Sequence, residues 1–233
     1  PGAGPLRCEW PSSWWRRGLQ SSRRGPSRRR CPAVRVPGRG SPVASIGRWL
    51  AALGAGATLG ALASWADWYA GRPPFGDIPR AVDLVLNAGS VWATTAIVGG
   101  WLVARMRVAW CAGVLTLAAA VASYYAYGNF AGDRLGYGLT TLSGVLKFWL
   151  VAAVVVGPVL GSIGGLARRR DRWGMAARLV PSGGILAEVA LVRGFGHAGD
   201  AAGNTAMLIL AAAAVAWAAV VVVRQATRPA GSR

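Results

Sequence analysis

Residues 205–223 read TAMLILAAAAVAWAAVVVV, nineteen positions without one charged side chain. Wound as an α-helix, that stretch rises about 28 Å, close to the hydrocarbon thickness of a bilayer. Its apolar residues form one block instead of recurring at amphipathic spacing, so no face is set aside for water. The length and the lack of dyad alternation select a spanning helix over a barrel strand.

Five further blocks precede it, at about 46–65 (containing RWLAALGAGATLGALASW), 84–104, 108–127, 145–166 and 176–192. Of the 233 residues, 54 % are hydrophobic and only 15 % charged, where a soluble domain carries about 25 % charged residues. The pattern predicts an all-α polytopic bundle of six spanning helices, with lipid as its main partner. Residues 1–45 form an Arg-, Pro- and Gly-rich tail without apolar periodicity, expected to be disordered. The spanning domain covers 46–224, and 225–233 form a basic C-terminal tail. The opening at Pro1 suggests a start site further along, near Val36 or Val43. The block at 176–192 carries Pro181, Gly183, Gly184 and Glu188, so a kinked or re-entrant segment is an alternative to a full span there. For the first block the alternative is a signal sequence cleaved after Ala61-Leu62-Ala63, which would leave five spans.

The net charge is +18, and 25 of the 26 basic residues are arginine. No nucleic-acid-binding module accompanies that charge, which speaks against a nucleic-acid partner. Its distribution speaks for topology. With the tail in the cytoplasm and six alternating spans, 21 of the 26 basic residues fall on the cytoplasmic side. These include Arg105, Arg107, Arg168, Arg169, Arg170, Arg172, Arg178 and Arg224. The other side holds Arg72, Arg80, Arg134, Lys147 and Arg193 among Asp67, Asp77, Asp83, Asp133 and Asp200. The positive-inside bias therefore puts both termini in the cytoplasm. Trp49, Trp110 and Trp173 fall at inner helix ends, and Trp65, Trp68, Tyr69, Tyr124, Tyr125 and Tyr127 at outer ends, as membrane belts require.

Small residues recur at helix-contact spacing: Gly56 and Gly60 in the first span, and Gly157, Gly161 and Gly165 in the fourth. Such stripes let backbones approach closely, either within one bundle or against another membrane subunit. Gly99-Gly100 leads through Ala104, Arg105 and Arg107 to Trp110, as Gly164-Gly165 leads through Ala167, Arg168 and Arg170 to Trp173. That echo suggests a duplicated hairpin or two turns under the same constraint.

Polar groups inside apolar spans need a reason, because a central charge costs about 2.5–3.5 kcal/mol on insertion scales. Lys147 and Glu188 fall at matching depths, which makes an ion pair between them possible. The alternative is a snorkelling Lys147, with Glu188 reaching Arg193 or water. Asn87 and Ser90, with Tyr124, Tyr125, Lys147 and Glu188, are the candidate lining of a polar vestibule in the outer half. An amide, hydroxyls and a carboxylate suit binding of a small polar solute better than covalent chemistry. No catalytic residue, metal ligand or cofactor site is expected. His197 has only Asp200 near it in sequence, and no P-loop, G-x-S-x-G or H-E-x-x-H occurs. Cys8, Cys31 and Cys111 lack metal or disulfide spacing.

The strings LNAGSVWA (86–93), SYY (123–125), FWL (148–150) and GPVLG (157–161) resemble those of a group of uncharacterised small multi-pass membrane proteins of high-GC bacteria. The resemblance spans about residues 50–225, implies an inner-membrane location and carries no activity. The expected function is a small-solute binding or transport component. The alternative is a structural or regulatory membrane subunit that packs against another membrane protein and binds no solute.

Overall fold

The computed structural model describes residues 42–70, 77–103, 105–131, 139–194 and 201–227. The expected disorder of the tail, Cys8, Cys31, His197 and Asp200 all lie outside them. Seven α-helices occur among the described residues: α1 (Pro42–Tyr69), α2 (Asp77–Leu86), α3 (Gly89–Leu102), α4 (Met106–Ala131), α5 (Leu139–Leu166), α6 (Arg172–Gly194) and α7 (Ala201–Ala226). All belong to one compact unit, Gly40–Arg233.

By length and composition, α1, α4, α5, α6 and α7 are apolar enough to cross a membrane, and α2 with α3 pass the same test as a pair bent by 56°. The expected second span is therefore two helices, broken at Asn87-Ala88. The fifth expected span, for which a kinked or re-entrant segment was the alternative, forms one continuous helix with Pro181 inside α6. Pro158 likewise sits inside α5 without ending it. A lone proline removes one backbone hydrogen bond, and packing over the remaining turns preserves the helix.

Helix α4 is the centre of the densest packing, with α1 on one side and α5 on the other, while α3 closes against α1, α4 and α5. Glycine sets these approaches. A Cβ on Gly161 would stand 2.3 Å from the Ala109 carbonyl oxygen, and one on Gly56 would stand 2.1 Å from that of Thr116. Gly60 meets Ala120, Gly157 meets Val114, and Gly165 meets Ala109 and Met106. All five stripe glycines thus face helices of their own chain. Their role is close packing of one helix against the next.

The remaining pair, α6 and α7, pack on each other, with α2 against α7 and α3 against α6. Ala88, Val189 and Met207 form their small buried cluster, with Leu84, Val91 and Ile185 around it. The contact of α5 with α6 is slight, unlike that of α3 with α4. The two arginine turns therefore join hairpins that pack differently.

Burial runs against apolarity. The α7 window is the most apolar, yet only 17 % of it is buried, against 39 % for α1 and α4. Ile209, Val215, Val220 and Val223 all lie on the exposed side of α7. Water would penalise that arrangement, whereas a hydrocarbon solvent accepts it.

Candidate functional site

The two ends of the bundle differ in chemistry. At one end lies the turn between α5 and α6. There Arg168 donates to the Trp101 carbonyl at 2.7 Å, with its guanidinium 5.7 Å from the Trp101 ring centroid. Arg178 donates to the carbonyls of Ala167 (2.7 Å) and Arg169 (2.8 Å), tying the turn that follows α5 to α6. Asp171 caps α6 by accepting the Gly174 N–H at 2.9 Å, and it pairs with Arg169 at 2.7 Å. That backbone donation, helped by Arg169, holds the Asp171 carboxyl below the usual carboxylate range.

The opposite end is acidic and is built around the α2–α3 break. Asp83, in the last turn but one of α2, accepts a hydrogen bond from the Asn87 side-chain amide, which turns the chain out of the helix. Ala88 follows in an extended conformation (φ −60°, ψ 128°) and has no side chain able to cap α3. The cap comes from α6 instead. Glu188 accepts the Gly89 N–H on Oε1 and the Ser90 N–H on Oε2, each at 2.8 Å. A carboxylate at a helix N-terminus satisfies orphan donors and meets the positive end of the dipole. On the other side of the break, the Trp92 indole N–H donates to the Leu86 carbonyl at 2.8 Å.

A cavity of about 180 Å³ adjoins this break, lined by Asn87, Trp92, Val121, Tyr124, Tyr125 and Trp149. Tyr124 donates its hydroxyl to Asp67 of α1 at 2.7 Å. The Trp92 and Tyr124 rings meet edge-on with centroids 6.2 Å apart, and those of Tyr124 and Tyr125 do so at 5.2 Å. The cavity therefore has aromatic walls and a polar side.

Of the six residues expected to line a vestibule, Asn87, Tyr124 and Tyr125 share this cavity. Ser90 and Glu188 stand together at the α3 cap, where the Ser90 hydroxyl is buried without a hydrogen-bond partner. Lys147 is exposed on α5 and is not on the cavity lining. Among the described residues no ion pair joins it to Glu188, whose carboxylate is taken by α3. Thr94 and Thr95 bond back to the carbonyls of Ser90 and Val91, so they serve their own helix. Trp92, Val121 and Trp149 line the cavity without any sequence signal of their own. A tryptophan inside an apolar span looks the same whether it faces lipid, a neighbour or a cavity.

Residues 39–232 match the family of unknown function DUF6518, and the chain belongs to that family. No curated protein and no solved structure matches it.

Proposed function

We propose that this chain is an integral membrane protein that binds, or carries across the bilayer, a small polar solute held in the cavity at its acidic end. It crosses a bacterial cell membrane six times, α2 and α3 making one broken span, with both termini in the cytoplasm. The arginine-rich turn faces the cytoplasm, in keeping with the positive-inside bias. The observation that carries the reading is the cavity itself. Its volume of about 180 Å³ is drawn from three helices and the helix break. Engineered cavities of about 150 Å³ admit a benzene-sized molecule. Broken spans beside a binding site recur among transporters, because irregular backbone is tolerated at membrane depth only inside protein or beside a cavity.

The test is a panel of small polar solutes against the full chain in lipid nanodiscs, read by thermal shift and by uptake into proteoliposomes. At least one solute should raise the unfolding temperature, and Asn87→Ala with Trp149→Leu should abolish that rise. A panel without effect, on a protein that unfolds cooperatively, overturns the reading.

A second reading, the solute-free subunit, draws on an open apolar groove of about 680 Å³ between α2 and α7, lined by Ile78, Val82 and Val85 opposite Ala206, Ile209 and Ala213. A membrane protein that co-purifies at fixed stoichiometry, with no ligand bound, would favour it.

A further inference from the structure

We infer that the cavity at the acidic end selects a small organic ammonium ion. This rests on the solute-binding reading above and adds to it the sign of the solute's charge. Four of the six lining residues are aromatic: Trp92, Tyr124, Tyr125 and Trp149. Ring faces carry negative quadrupolar charge, and a cation against several of them is held with little need of water. The edge-on meetings of Trp92 with Tyr124 (interplanar 65°) and of Tyr124 with Tyr125 (75°) turn neighbouring rings in different directions. They form walls rather than one flat stack.

The polar groups on the lining agree. The Tyr124 hydroxyl donates its proton to Asp67, which leaves its oxygen as an acceptor. The Asn87 amide nitrogen is turned to Asp83, which leaves its carbonyl oxygen free to accept. Two carboxylates thus stand directly behind two of the polar lining groups, Asn87 and Tyr124. Among the described residues, the cations nearest in sequence to these groups are Arg80, three residues before Asp83, and Lys147, two residues before Trp149. Both are exposed and neither lines the cavity.

Among the described residues, an anion meets no cationic side chain on the lining. Its natural seat would be the N-terminus of α3, and Glu188 already occupies that with both oxygens. A sugar-like solute would need several donors and acceptors around it, and the apolar walls supply few.

The test compares tetramethylammonium with tert-butanol, a neutral molecule of similar shape, by titration calorimetry on the full chain in nanodiscs at constant ionic strength. Tetramethylammonium should bind at least tenfold more tightly than tert-butanol. Trp149→Leu should weaken the cation about tenfold, while Trp149→Phe, which keeps a ring, retains most of the affinity. Asp67→Asn should also weaken the cation and leave tert-butanol unchanged. Equal binding of the two probes, or binding of a neutral solute in preference to both, overturns the charge preference while the cavity remains a solute site. Failure of every small solute to bind overturns both.

Discussion

The helices around α4 and the α6–α7 pair come from the same chain and the same apolar alphabet, yet they are held by different means. In the first group, glycine on α1, α3 and α5 brings backbone against backbone until a single Cβ has no room. In the second, contact runs through side chains, and Gly183 of α6 has no atom within 4 Å of the place a Cβ would take. The lesson is that glycine in a spanning helix marks an interface only where a neighbouring backbone fills the gap. The groups are joined by Glu188, which reaches from α6 to cap α3.

The largest effect should come from Gly161→Leu. Its new side chain must displace the Ala109 and Gly113 backbones, and overpacking of that kind costs about 3 kcal/mol. Gly183→Ala should instead be neutral or stabilising by up to about 1 kcal/mol, through helix propensity alone. Reversible unfolding in mixed micelles measures both, and equal losses would erase the distinction between the two groups.

Next in size is the joint between them. Glu188→Ala removes the acceptor that caps the Gly89 and Ser90 N–H groups, at a cost of about 1 kcal/mol. Glu188→Gln keeps one acceptor and should lose about half as much. Hydrogen exchange at Gly89 and Ser90 should accelerate in step with the loss of stability. An unchanged exchange rate in Glu188→Ala would mean that α3 stays ordered without α6.

The smallest effect belongs to Asp171. Its carboxyl is depressed in the folded chain by the Gly174 N–H and Arg169. The stability it adds is therefore complete above the unfolded carboxylate value of about 4, and is lost as pH falls through the lower folded value. Thermal midpoints followed into acid should show this decline in the parent chain and a flatter profile in Asp171→Asn.

Much of the architecture is legible in the residues, because uninterrupted apolar length needs no partner to be recognised. The regions of all six anticipated spans hold helices, and four of the five stripe glycines, Gly56, Gly60, Gly157 and Gly161, lie against a neighbouring backbone. The helix break was not legible. Asn87 and Gly89 are turn formers, but the cap that makes a new helix worth starting lies ninety-nine residues on, in Glu188. Pro181 sends the opposite message, since a proline flags a disturbance that the following turns absorb. Polar residues identified half of the cavity lining, and its aromatic walls became visible only once α3, α4 and α5 were brought together.

The most direct measurement concerns the solvent around α7. Ile209→Cys, Val215→Cys and Val222→Cys, each in a chain whose Cys8, Cys31 and Cys111 are replaced by alanine, put thiols on side chains that are 66 %, 55 % and 50 % exposed. In native membranes, a water-borne maleimide should leave Ile209→Cys and Val215→Cys unlabelled until detergent or denaturant is added, because thiolate does not form in hydrocarbon. Rapid labelling of all three, at the rate of a free thiol in buffer, would mean that water bathes this helix and that the chain does not span a bilayer.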